Sequence, residues 1–178
     1  MPVPVSGMGR VLSHKSNKTM MLPLRLTQVT DINLIAENMR AADVAEVAAS
    51  SGTTPKICLL KSYLNSKPCI TMVSCTGEPL AMGGVVPDSL NNRVGQIWLL
   101  GTDALVDDAT NRMSFLRGCR SWINAMHREY DVLWNYMDAR NAVHHRWIEW
   151  MGFTFIAKRP NWGVEGRLFL EFCKVSHV

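Results

Sequence analysis

From Leu22 to Val29 apolar and polar residues alternate, and this two-residue period predicts a short strand, with Thr30 or Asp31 placed to cap the helix that follows. Ile32, Ile35, Ala36 and Met39, then Val44, Val47 and Ala48, recur at three- and four-residue spacing until Ser50, Ser51 and Gly52 stop the pattern. Pro55 suits the first turn of another helix running to Asn65. Two β-rich runs, Cys69 to Cys75 and Leu80 to Val86, are joined by Thr76, Gly77 and Glu78; a second turn at Pro87 to Asn92 leads into Val94 to Leu100. These three runs predict an antiparallel meander. Met113, Leu116, Cys119, Ile123 and Met126 then trace the stripe of a long helix, and Val132 to Met137 is apolar enough for a central strand beside Val94 to Leu100. Asn141 opens a last helix, with Val143, Trp147, Trp150 and Met151 on its inner face and Gly152 as a left-handed cap. Phe153 to Lys158 and Leu168 to Val175 complete the set, flanking a turn that contains Pro160, Asn161, Gly163 and Gly166. The expectation is an α/β domain with one mixed sheet, about seven strands and four helices.

Composition adds a boundary. The first twenty residues hold Arg10, Lys15 and Lys18, no acid, and Pro2, Pro4, Gly7 and Gly9, with neither helical nor strand period. They read as an extended basic arm, residues 1–20, before a domain of residues 21–178. Of the 19 Lys and Arg in the chain, sixteen remain in the domain against 15 acidic residues, so the net charge of +4 resides mostly in the arm. A nearly neutral body is a poor nucleic-acid groove, because phosphate contacts need many clustered cations. Only the arm keeps the charge for such a role.

Cys58, Cys69, Cys75, Cys119 and Cys173 are odd in number, widely spaced and without a Cys-x-x-Cys pair or a His at zinc-finger spacing, which predicts mostly buried, reduced thiols and no metal site. No apolar run approaches the ~20 residues of a membrane span, and Met1 to Gly9 lacks a signal-peptide core. These features place the protein in a cytoplasm, or in a particle packaged from one.

The order of elements resembles that of the GNAT acetyltransferase superfamily, and the resemblance sharpens at Asn141-Ala-Val-His-His-Arg-Trp-Ile-Glu-Trp-Met-Gly-Phe153, which keeps that superfamily's Asn followed eleven residues later by Gly-Phe. Glu78-Pro-Leu-Ala-Met-Gly-Gly84, Ile97-Trp-Leu-Leu-Gly-Thr-Asp103 and Tyr130-Asp-Val-Leu-Trp-Asn-Tyr136 are similar to small GNAT-like internal virion or morphogenesis proteins of short-tailed bacteriophages. The similarity runs from Leu22 to Phe155 and leaves out the arm. It implies a GNAT-like acyl-CoA N-acyltransferase fold in a phage virion or assembly protein, made in the host cytoplasm and then carried in the virion.

Acetyl transfer needs a Gly-rich turn whose amides receive the cofactor pyrophosphate at a helix start. The corresponding stretch, Gly101 to Arg112, has no Gly after Gly101 and carries Asp103, Asp107 and Asp108, which suit helix caps and compete with a phosphate. The Tyr acid that many relatives carry seven residues after the Asn is replaced by Ile148, which cannot protonate a thiolate. Tyr136 reads as a core residue and Asp138 as a turn or cap. His144 and His145, about 100° apart on a helix, read as one partly exposed and one packed ring. Most of the six Trp fall on core faces, whereas Trp162 lies in the turn as a contact anchor. The leading reading is therefore a non-catalytic virion component with no cofactor. It docks through Arg10, Lys15, Lys18 and Trp162 to other virion proteins (portal, tail or internal core), without membrane or nucleic acid. The alternative is an N-acetyltransferase in which acetyl-CoA lies along Leu99, Leu100, Thr102, Arg112 and Asn141. Whether the cleft between Val94–Leu100 and Val132–Met137 is open or filled by side chains separates the two.

Overall fold

A computed structural model describes residues 22–176; the arm with Arg10, Lys15 and Lys18 lies outside the described residues. The elements run β1 (Leu24–Leu26), α1 (Val29–Glu37), α2 (Ala41–Ser51), α3 (Pro55–Asn65), β2 (Cys69–Val73), β3 (Pro79–Pro87), β4 (Val94–Gly101), α4 (Asp103–Asp107), α5 (Ala109–Met126), β5 (Val132–Asp138), α6 (Ala142–Trp150), β6 (Thr154–Trp162) and β7 (Arg167–Val175). The strands form one seven-stranded sheet in the order β1-β2-β3-β4-β5-β7-β6. Every pairing is antiparallel except β4 with β5. The meander and the central strand are where the apolar pattern puts them.

Two cores cover the sheet. The larger packs α5 and α6, through Phe115, Cys119, Trp122, Ile123 and Ile148, against Val85, Ile97, Leu133 and Phe172. The smaller packs Ile32, Ile35 and Met39 with Leu59 of α3 against Cys69 and Met82.

Four helices become six, and each difference has a tertiary cause. The apolar period runs unbroken from Ile32 to Ala48, but the helix stops at Asn38 because the next two residues pair with the end of β4. Met39 bridges Thr102, and the Arg40 amide donates to Gly101 O at 3.0 Å. The predicted helix is thus α1 and α2. Ahead of α5, Asp103–Asp107 form the short α4, and Asp108 caps α5 by accepting from the Asn111 amide at 2.7 Å.

The first strand shortens to three residues and α1 starts earlier than predicted. Gln28 is its N-cap, and neither Thr30 nor Asp31 caps it; Asp31 sits at N3 and accepts from the Gln28 amide at 2.9 Å. The Asp31 side chain is buried and also accepts from Arg25 at 2.6 and 2.7 Å and from Thr71 Oγ1 at 2.8 Å. Burial pushes this carboxyl up, but Arg25, the Gln28 amide and Thr71 together hold it below the usual carboxylate range.

The helix stripes are buried at Cys119, Ile123, Met126 and Met151 as expected and depart from the expectation elsewhere. In α5, Met113 is exposed and Phe115 and Trp122 are buried; in α6, Val143 and Trp150 are exposed and Ile148 and Met151 are buried. Trp150 instead lies under the Arg120 guanidinium, 4.6 Å from its ring centre. Among the cysteines, Cys69 and Cys119 are buried, Cys58 and Cys173 half-buried and Cys75 exposed, all as free thiols. β6 extends past Lys158 through Pro160 and Asn161 to Trp162, with a register shift between Arg159 and Trp162. An edge strand tolerates Pro because its outward N–H would have no strand partner.

Gly152 ends α6 at φ 83°, its amide donating to Glu149 O at 2.9 Å while that of Phe153 donates to Ile148 O at 3.2 Å. An alanine Cβ there meets only the movable Lys174 Nζ, so the cost is in the backbone. Gly152→Ala is expected to destabilise the domain by about 1 kcal/mol. A urea midpoint equal to wild type would refute this requirement.

Candidate functional site

β4 and β5 pair in parallel over three residues only, Val94–Gln96 with Val132–Trp134, and then part. β4 continues along β3 to Gly101, and β5 continues along β7 to Asp138. Asn135 fills the first broken rung: its amide donates to Ile97 O at 2.7 Å, and its oxygen accepts from Gln96 at 2.9 Å and from the Tyr136 amide at 2.7 Å. Beyond this plug lies a cavity of ≈ 350 Å³, so the cleft is open. Its walls come from Gln96–Leu100 of β4, Asn135 and Tyr136 of β5, α5 and α6, with Glu46 of α2 and Trp162 closing the sides.

The tryptophans belong largely to this cavity. Trp98, Trp122, Trp147 and Trp162 all line it, and of the six only Trp122 is buried. Trp162 is not in the turn: it ends β6, half-buried, its ring 4.0 Å from that of Tyr136. Tyr136 also meets Trp134 edge-on at 5.4 Å, making an aromatic wall.

The polar end of the cavity combines two residues from different helices. Glu46 Oε2 and His144 Nδ1 are 3.9 Å apart, with side chains only 15% and 18% exposed. Burial, reinforced by Asp43, pushes the Glu46 carboxyl up to about 8; burial, reinforced by Arg40, pushes the His144 imidazole down to about 4. Both are therefore neutral at pH 7. Glu46 Oε2 and Asn141 Nδ2 are both buried without a hydrogen-bond partner. Asn141 itself caps α6, accepting from the His144 amide at 3.2 Å, and this cap turns His144 toward α2. Asp138 is buried and bound to Arg140, which donates from Nε at 3.0 Å and from its backbone amide at 2.9 Å, as the turn role requires. His145 stacks on Phe155 at 4.3 Å, outside the cavity.

The remaining candidate residues divide. Leu99 and Leu100 lie on the cavity wall. Thr102 does not: it is buried, and both its amide and its hydroxyl donate to Leu80 O at 2.9 and 3.0 Å. Arg112 is exposed and donates to Val106 O within the α4–α5 turn. At that turn the Gly101 amide donates to Asp43 Oδ2 at 3.0 Å, the Leu105 amide to Thr102 O at 3.1 Å and the Arg112 amide to Asp108 O at 2.9 Å. A protein carboxylate thus already occupies the Gly101 amide, and Asp103, Asp107 and Asp108 are exposed around it.

Residues 69–158, just over half of the chain, match the family described as "Bacteriophage T7, probable scaffold protein Gp13". The chain belongs to this family. The scaffold-family member of Escherichia phage T7, "Probable scaffold protein gp13", is 27% identical over 136 residues, covering 76% of this chain and 86% of that protein. Among solved structures the scaffold-family chain superposes on the ribosomal-protein-alanine N-acetyltransferase of Brucella melitensis with a TM-score of 0.64 at 16% identity, covering 87% of this chain and 100% of that one. The ribosomal-protein-S18-alanine N-acetyltransferase of Escherichia coli gives 0.62 at 15% identity, with 89% and 96% covered. A GCN5-related N-acetyltransferase of Kribbella flavida gives 0.63 at 15%, with 87% and 98% covered. The fold is GNAT-like, as the element order implies.

Glu46 escapes a sequence search because it sits in a helix of small apolar residues, Ala41–Ser51, where one acid reads as the solvated face. The available signal is the i, i+3 spacing of Asp43 and Glu46 next to Val47, which puts acids on the border of a buried stripe. Between the ordinary Glu value near 4.3 and the raised value of about 8, the unfolded chain gives up this proton and the folded one keeps it. Stability therefore falls as pH rises through that window. Glu46→Gln is expected to match wild type at pH 4 and to gain on it up to pH 8, by at most about 1.4 kcal/mol per pH unit. Parallel urea curves across the series would contradict the burial of this carboxyl.

Proposed function

We propose that the protein is a phage virion or assembly component whose GNAT-like domain performs no acetyl transfer and docks to other virion proteins. The observation that carries this reading, beside membership of the scaffold family, is the Asp43 carboxylate on the Gly101 amide. Acyl-CoA chemistry on this fold requires amides free to receive phosphate oxygens, and here the amide that ends β4 is already bound by a buried carboxylate of the protein. Ile148, at the place of the general acid, is 3% exposed in the core and has no proton to give.

The docking element in this reading is the basic segment with Arg10, Lys15 and Lys18, directed at an acidic surface of a portal, tail or internal core protein. Three cations without internal acids give steering and rim contacts rather than a fold of their own. The open cavity favours a second reading, an active N-acetyltransferase with acetyl-CoA entering past Leu99 and Leu100.

Calorimetry with acetyl-CoA separates the two: the assembly reading expects no binding tighter than about 1 mM. A micromolar titration, or an acetyl group transferred to an amine, would reverse the order of the readings. Deleting Met1 to Lys18 is expected to leave the circular dichroism of the domain intact while abolishing its recovery with purified particles or assembly intermediates. Full recovery would move the docking surface to the domain body.

A further inference from the structure

The arginines of the domain fall into two groups. Arg25, Arg40, Arg93, Arg140, Arg159 and Arg167 each pair with an acid. Among the described residues Arg112, Arg117, Arg120, Arg128 and Arg146 make no ion pair, and all five lie on α5, on the turn that follows it or on α6. No acid occurs in α5, and the one acid of α6, Glu149, turns to His145, 3.6 Å away, on the side that stacks on Phe155 of β6. Neither helix carries a lysine. Protein interfaces gather arginine and exclude lysine and glutamate, and the planar fork of arginine donors matches a carboxylate at two points.

The two helices pack side by side, with the Phe115 and Trp147 rings 5.4 Å apart, and their outer stripes make one face. Met113, Arg117 and Arg120 recur at four- and three-residue spacing on α5, and Val143, Arg146 and Trp150 at three- and four-residue spacing on α6; all of them are exposed. At the seam the Arg120 guanidinium lies over the Trp150 ring, 4.6 Å from its centre, and donates to Trp150 O at 3.2 Å. These contacts fix the guanidinium and leave it other donors, so less freedom is lost when a carboxylate arrives. Trp150 is 43% exposed and Val143 58%, which places apolar anchors among the cations. Tryptophan and arginine together are the side chains on which protein contacts most often turn. A nucleic acid would ask for a longer run of cations and fewer apolar side chains.

We propose that the outer face of α5 and α6 docks an acidic amphipathic helix of another assembly protein, with its carboxylates on Arg117, Arg120 and Arg146 and its apolar residues on Val143 and Trp150. Arg117 and Arg120 stand one turn apart, about 4.5 Å along the axis, which matches acids at i and i+3 or i+4 on the incoming helix. The first twenty residues hold no acid, so the arm does not neutralise this face and acts beside it. The inference rests on the assembly reading, which supplies the partner, and extends the docking surface from the arm to the domain body.

Fluorescence anisotropy of the whole chain with a labelled Ala-based helical peptide of about 18 residues, bearing Glu at one-turn spacing beside Leu, reads the surface directly. The expected result is saturable binding that weakens with salt and falls about tenfold when Lys replaces Glu in the peptide. Arg117 and Arg146 are exposed, so a chain carrying both Arg117→Glu and Arg146→Glu should keep the wild-type circular dichroism. This double variant is expected to prefer the Lys peptide, and its recovery with purified particles to fall about tenfold although the arm is intact. Trp150→Ala is expected to weaken the Glu peptide about tenfold. No binding of the Glu peptide, or an unchanged preference in the double variant, would overturn the proposal. So would loss of binding in a chain with Arg10→Ser, Lys15→Ser and Lys18→Ser while the double variant binds as wild type, which assigns the peptide to the arm. Displacement of the peptide by oligothymidylate at a lower concentration than the peptide itself needs would overturn it in favour of a nucleic acid. A wild-type chain that binds the peptide but is not recovered with particles would instead overturn the assembly reading, and with it this partner.

Discussion

The carboxylate of Asp43 accepts the amide of Gly101 at 3.0 Å, and this bond joins the second helix to the end of the fourth strand. It acts with the neighbouring Arg40 amide on Gly101 O and the Met39–Thr102 bridge, so that α2 is held against the open side of the sheet. Burial pushes Asp43 up, while Arg40 and the Gly101 amide favour its charged form. Everything at the polar end of the cavity depends on this clamp. With α2 placed there, a residue one turn further on faces the gap between β4 and β5, and that residue is Glu46.

The parting of the two parallel strands is the other constraint, and it has a local cause. A parallel pair needs both strands to follow one twist, but β4 is bound to β3 along seven positions and β5 to β7 along seven, against three for the pair between them. The outer pairings prevail and the sheet opens. Asn135 makes the opening tolerable by supplying a side-chain donor and acceptor where the ladder fails. Past Asn135 no such repair is made, and the tryptophans frame a space instead of filling it.

Period and punctuation made most of this fold legible. The meander, the central strand, the Asn141 cap and the left-handed Gly152 follow from apolar spacing, Asn and Gly at fixed positions, and turn residues, all of which act within a few residues of chain. What escaped depends on distant partners. The break between α1 and α2 has no local signal, because Asn38 to Arg40 continue an acceptable helix until Gly101 and Thr102 arrive from β4. The same holds for the α5 and α6 faces, where Met113, Val143 and Trp150 share the period of the buried residues but lie at the border of the stripe. For the site, the loop acids and the Ile148 substitution were visible as residue types, whereas Glu46 with His144 was not. Nearly a hundred residues separate the two, and only the clamp on α2 and the cap on α6 bring them together.

A scaffold-family chain thus has the sheet of the acetyltransferases on which it superposes. The opening between β4 and β5 follows from strand pairing and persists whatever the loops contain. The turn after β4, by contrast, is fixed by side chains, and an aspartate of a neighbouring helix holds the Gly101 amide at its start. That same aspartate adds negative potential beside Glu46 and so disfavours a second anion in the space. Asp103, Asp107 and Asp108 stand exposed around the turn, and Glu46 within the cavity is held neutral by burial. The opening thus rests on backbone pairing, whereas its polar end rests on side chains that two helices bring from distant parts of the chain.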